Sequence, residues 1–154
     1  MNYLNDWKNN MSYEFLKKKN NTFYPVSSAE IIEVENTLDI LLPKSLKDLY
    51  SEIGYGFIKG SENNVNHILD PYCLRDFRMR ENDFEFFPDI EIYDEFEIDK
   101  VVFFESNESA LMSIGFTENN KNVIFYYDIP IATSLEEFLQ KIQDNDMYYI
   151  DLIY

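Results

Sequence analysis

Pro43 is the residue that most constrains the fold. Proline restricts the residue before it to extended geometry, so Leu42 is not helical and a helix arriving from the N-terminal side must stop first. Proline is tolerated in a first helical turn, so a second helix can start at the same point. The flanking residues agree. Ser27 followed by Glu30 has the spacing of a capping box. Ile31, Val34, Glu35 and Leu38 then fall on one helical stripe, apolar except for Glu35. Beyond the corner, Leu46, Leu49, Tyr50 and Ile53 supply a buried face, and Gly54 is a ready C-terminal cap. Val26 to Gly56 therefore reads as two short helices joined by a Leu-Pro corner and closed by glycines.

The remainder is ordered by hydrophobic period and turn chemistry. Leu4, Trp7, Met11 and Phe15 recur at spacings of three and four, which predicts an amphipathic helix over Tyr3 to Lys18 within an N-terminal segment 1–22. Phe57–Ile58 and Val65 to Leu69 read as short strands around a turn at Gly60 to Asn64. Asp70-Pro71 then opens a helix to about Met79, with Leu74 and Phe77 inward. Val101 to Phe104, Ala110 to Phe116 and Val123 to Tyr127 predict three strands, the last two a hairpin across Thr117 to Asn122. Thr133 or Ser134 caps a final helix striped by Leu135, Phe138, Leu139 and Ile142; with Thr133 as cap, Glu136 completes a capping box. The apolar tail, within residues 144–154, is expected to dock as an edge strand or pack on the core.

Composition sets the limits of function. The chain has 154 residues, 45% hydrophobic and 17% aromatic, which suits one domain over 1–154 with a core of its own and excludes disorder. A single cysteine, Cys73, forms no internal disulfide, and no apolar run reaches membrane-spanning length. The N-terminus lacks the pattern of a signal peptide, so the expected location is the cytoplasm. Net charge is −16, and the first 22 residues oppose that trend with four lysines against Asp6 and Glu14. Such a field repels nucleic acid and anionic lipid and attracts basic proteins; it also serves simple solubility.

Asp83 to Asp99, DFEFFPDIEIYDEFEID, concentrates the acid. Eight of its seventeen residues are Asp or Glu, eight are apolar, and no Lys or Arg interrupts it. The alternation Asp89, Ile90, Glu91, Ile92 has period two, which predicts a half-buried strand projecting carboxylates from one face. Solvated surface is the plainer account of the same charges. Arg75, Arg78 and Arg80, the only arginines, lie just upstream and read first as internal partners for neighbouring acids.

Catalytic chemistry is sparse. One histidine, His67, and one cysteine supply no nitrogen–sulfur zinc set. No G-x-S-x-G elbow, P-loop or G-x-G-x-x-G occurs. No D-x-D-x-D-G loop organises oxygen ligands for calcium. No cofactor and no specific metal are expected, and nothing in the sequence requires an enzyme.

The stretch IIEVENTLDILLPKSLKDLYSEIGYG resembles the N-terminal signature of the SUKH superfamily, which includes yeast cell-wall-assembly regulators and bacterial toxin-immunity proteins. The matching features are the glutamate at Glu35, the Leu42-Pro43 corner, the aromatic Tyr50 and the small-residue turn at Gly54 to Gly56. VIFYYDIPIATSLEEFLQKI resembles the family's closing strand, loop and helix, so the likeness spans about Val26 to Ile142. The usual Asn-Gly reads Gly-Tyr-Gly here, and the usual glycine-rich turn reads Glu105 to Ser109, ESNES. The resemblance implies an α+β fold: N-terminal helices on a curved, mainly antiparallel sheet, with a late helix. It also implies a non-enzymatic immunity protein that occludes a toxin, often a nuclease. An acidic, aromatic-bearing surface complements such a basic partner. The candidate contact residues are Phe84, Glu85, Phe86, Asp89, Glu91, Tyr93, Asp94, Glu95 and Glu97, although strand alternation would turn some of the aromatics into the core. Two other readings stay open at this point: a scaffold for an endogenous cell-wall or signalling protein, and a carbohydrate-active enzyme using paired carboxylates.

Overall fold

A computed structural model of the chain describes residues 13–18, 20–60, 64–106 and 110–153. Leu4, Trp7 and Met11, and with them most of the expected N-terminal helix, lie outside these residues. Its described end is a 3-10 turn, Glu14–Leu16, whose neighbour Tyr13 is buried with Leu16.

The Leu-Pro corner behaves as the sequence dictates. Helix α1 (Ser28–Leu38) starts where the Ser27 hydroxyl accepts from the Glu30 N–H at 3.2 Å. It ends at Asp39 in left-handed geometry. Helix α2 (Lys44–Glu52) follows Pro43 directly and buries Leu46, Leu49 and Tyr50. Gly54 (φ +106°) and Gly56 (φ +148°) then face the backbone of β1 (Thr22–Tyr24). A Cβ on either would collide with the Tyr24 or Thr22 carbonyl, so the small-residue turn is set by close approach to that strand.

Seven strands form one antiparallel sheet in chain order: β1, β2 (Tyr55–Lys59), β3 (Val65–Ile68), β4 (Lys100–Ser106), β5 (Ala110–Gly115), β6 (Ile124–Tyr126) and β7 (Ile129–Ala132). The three expected central strands are present and do meander. Strand β7 was not foreseen: Tyr127 takes left-handed geometry and turns the chain back within two residues. Helices α3 (Pro71–Met79), α4 (Leu135–Asp144) and the short α5 (Ile150–Ile153) complete the α+β architecture.

The main core lies between the helices and one face of the sheet. Phe103, Phe104, Met112 and Ile114 point there, with Phe138 standing edge-on to Phe104 at 4.9 Å. The cap of α4 is Ser134, whose hydroxyl accepts from the Glu137 N–H at 3.1 Å; Glu137 reaches back to the Thr133 N–H. Thr133 and Glu136 therefore do not form the box. The tail makes no strand among its described residues: Tyr149 is buried and the Tyr148 hydroxyl donates to the Ile131 carbonyl at 2.7 Å.

Val102 and Leu111, alternating with the main-core residues, point to the opposite face. A second cluster covers them, so β4 and β5 are buried on both sides, which suits their near-continuous apolar runs. Helix α3 bridges the two: Leu74 belongs to the first cluster and Phe77 to the second.

Candidate partner-binding surface

The acidic stretch is what covers that second face, and it is not a strand. It runs as 3-10 turns at Asn82–Phe84 and Ile90–Tyr93, joined by further turns. Its backbone bonds close over three residues: Phe84 N–H to the Glu81 carbonyl, Phe87 to Phe84, Ile90 to Phe87, and Asp94 to Glu91, at 3.0 to 3.4 Å. Side chains three apart eclipse in such turns. Phe84, Phe87, Ile90 and Tyr93, spaced by three, accordingly face inward together. The alternation at Asp89–Ile92 has four members; the period of three runs longer and buries the larger rings.

The inward stripe packs on Phe77. Phe84 and Tyr93 meet its ring edge-on at 5.1 and 5.6 Å, and Tyr93 stacks on Tyr127 at 5.4 Å. Burial, then the Tyr127 hydroxyl, raise the Tyr93 phenol well above its ordinary value. The arginines hold the segment's ends. Arg80 reaches Glu97 at 2.7 Å and Asp94 at 2.8 Å. Arg78 donates to the Glu97 and Lys100 carbonyls at 2.8 and 2.9 Å. Lys100 pairs with Asp99 at 2.8 Å while lying over the Phe125 ring. All three arginines bond within the molecule, since Arg75 pairs with Asp76.

This geometry sorts the nine candidate contacts. Tyr93 and Glu97 are only 7% and 6% exposed, so neither presents a side chain to a partner: the first is core and the second is clasped by Arg80. Phe84 is half-buried against Phe77. Asp94 is exposed but paired to Arg80. Phe86 (88% exposed), Glu85, Asp89, Glu91 and Glu95 lie on the outer side. Among the described residues, Glu81, Asp83, Glu85, Asp89, Glu91 and Glu95 are exposed and have no ion-pair partner. The period-two alternation would turn Ile92 and Ile98 toward the core, whereas both are exposed; the period of three was the available signal. Sequence reasoning also missed Leu111 and Tyr127, which only the sheet register brings to this face.

Beside the segment lies an open groove of about 400 Å³. Phe87, Pro88, Ile92 and Tyr93 wall one side, Leu111 and Tyr127 the other, with Asp89 at the margin. Among the described residues no three His, Cys, Asp or Glu side chains are placed to hold a metal. Burial pushes the Cys73 thiol up to about 12, which removes it as a nucleophile at neutral pH. No helix among the described residues is long and apolar enough to cross a membrane.

Comparison with known proteins adds two findings. The sequence profile of the SMI1 / KNR4 family (SUKH-1) matches residues 25–141. A Bacillus subtilis (strain 168) protein named Immunity protein YxxD is 66% identical over 144 residues, 93% of this chain and 98% of that protein.

Proposed function

Because this chain belongs to the SMI1 / KNR4 (SUKH-1) family, we propose that it is a bacterial immunity protein that neutralises a toxin by occlusion, without chemistry of its own. The observation that carries the proposal is the 66% identity, over nearly the whole of both chains, to a protein named as an immunity protein. The surface supports the mode of action. Six exposed carboxylates between Glu81 and Glu95 have no ion-pair partner among the described residues, and Phe86 stands out beside them. A basic toxin, such as a nuclease that must hold phosphate, complements that surface and is steered onto it. The protein then acts in the cytoplasm of the cell that makes the toxin.

Co-expression with the product of the neighbouring gene tests this. The expected result is restored growth and a purified complex whose affinity falls as salt rises. No rescue, with no complex at low salt, overturns it.

A further inference from the structure

Resting on that reading, we infer that the groove between the acidic segment and Leu111–Tyr127 is the anchor of the interface: it receives one large apolar side chain from a toxin segment that carries Lys or Arg on both sides.

Three features define the occupant. The walls are rings and aliphatic chains (Phe87, Pro88, Ile92, Tyr93, Leu111 and Tyr127), so an apolar side chain inserted between them gives up water on the faces that meet those walls. Ile92 is 48% exposed, and that surface is what the insertion would cover. The charge in the lining and next to it in the chain is acidic. Asp89 is the charged residue of the lining, Glu91 precedes Ile92 and Asp128 follows Tyr127; all three are exposed and without an ion pair among the described residues. No Lys or Arg lies between Glu81 and Asp99, and the two that flank the stretch are engaged, Arg80 by Asp94 and Glu97 and Lys100 by Asp99.

The same charges argue against other occupants. A second copy of this chain brings a net −16 against a net −16. Nucleic acid and anionic lipid are repelled in the same way. The neighbouring recess formed by Arg78, Arg80, Asp94 and Glu97 has its charges already paired internally and offers no comparable field. Apolar walls with Asp89 in the lining and further acids adjoining it in the chain fit a basic segment with a central apolar residue. Such a centre-and-rim arrangement is how binding energy is distributed in protein interfaces.

The test uses the full chain and the purified toxin domain identified by that co-expression. Binding is measured by calorimetry for the wild type, Ile92→Ser, Asp89→Asn and a control, Glu136→Gln, on the far face of the sheet. Asparagine tolerates the left-handed geometry of position 89, so the charge is removed without strain. Ile92→Ser is expected to weaken binding about tenfold, Asp89→Asn to flatten its salt dependence, and Glu136→Gln to leave both unchanged. Methyl resonances provide a readout that does not depend on the variants: those of Leu111 and Ile92 should shift on complex formation, and those of Ile31 and Val34 should not. A wild type that fails to bind the toxin domain overturns the functional reading and this inference with it. A wild type that binds, with Ile92→Ser binding equally well or the Leu111 methyls unmoved, overturns the groove alone.

Discussion

Glu35 Oε2 lies 2.7 Å from the backbone nitrogen of Leu42, and the Lys47 ammonium stands 3.3 Å from the same oxygen. One carboxylate near the middle of α1 thus fixes the corner at which α2 starts. The Leu42 N–H is beyond the end of α1, and Leu42 itself is buried, so water does not readily replace the acceptor. Glu35→Ala should cost about 2 kcal/mol, the usual consequence of stranding such a donor. Glu35→Gln keeps an acceptor oxygen and should cost less than half of that. Lys47→Ala, which leaves the Leu42 bond intact, should cost under about 0.5 kcal/mol. Urea titration of the three variants checks the order, and equal losses for Ala and Gln would show that the contact is not the source.

Glu97 yields a pH dependence of definite sign. Burial raises its carboxyl above the ordinary 4.5, and Arg80 and Arg78 pull it back only in part. Its Oε1 is buried with no hydrogen-bond partner among the described residues. A carboxyl raised in the folded state favours folding while protonated, and that contribution is lost as pH rises through the folded value. The wild type should therefore lose stability relative to Glu97→Gln as pH climbs from about 4 to 7, since a neutral amide avoids the desolvation of charge. Urea midpoints of the two proteins at several pH values measure it. A constant difference across that range would mean that the Arg80 pair fully offsets the burial.

His67 moves the other way. It stacks on Phe57 at 4.5 Å, faces Glu105 across the β3–β4 ladder and lies near Asp70. Burial lowers its value below 6.5, with Asp70 opposing. A base lowered in the folded state contributes stability above its unfolded value and loses it as pH falls. Because the chain holds a single histidine, its ring resonances titrate alone. Their midpoint should lie below 6.5 and climb back when Phe57→Ala uncovers the ring.

What the sequence made legible was local. Pro43, Ser27, Asp70-Pro71 and the turn at Thr117–Asn122 each act on their own backbone, and the elements they bound are where they were expected. Asp70 occupies its cap position without a side-chain bond, so position was readable and contact was not. The misreading of Asp89–Ile92 has a physical origin. Acidic residues alternate with apolar ones there, but burial is decided by Phe84, Phe87 and Tyr93 meeting Phe77 on α3, at spacings of three. That register depends on a partner ring outside the segment. The groove is further from sequence still, because Leu111 and Tyr127 reach it only through the pairing of β4, β5 and β6.

Tyr50 tests whether α2 is tied to the sheet by more than packing. Its ring is 1% exposed, and its hydroxyl donates to the Leu69 carbonyl at 2.5 Å, just past the end of β3. Tyr50→Phe keeps the ring but leaves that carbonyl without its donor, so it should cost about 1.5 kcal/mol. Tyr50→Leu adds lost volume and should cost about twice as much. Thermal unfolding of both distinguishes the hydrogen bond from the packing: equal losses would assign the whole effect to the hydroxyl.

The period of three in the acidic segment separates two phenylalanines only one residue apart. Phe87 turns under the segment, 6.1 Å from the Phe77 ring, whereas Phe86 is almost fully exposed. Phe87→Ala should cost about 2 kcal/mol, less than a fully buried ring because Phe87 is only half covered. Phe86→Ala should change stability by less than about 0.5 kcal/mol. Were the segment a half-buried strand, the order of 86 and 87 would depend on which face met the core, but 84 and 86 would then behave alike. Phe84→Ala is therefore the deciding measurement: it should follow Phe87, since both pack on Phe77, and a loss matching that of Phe86 would contradict the 3-10 register.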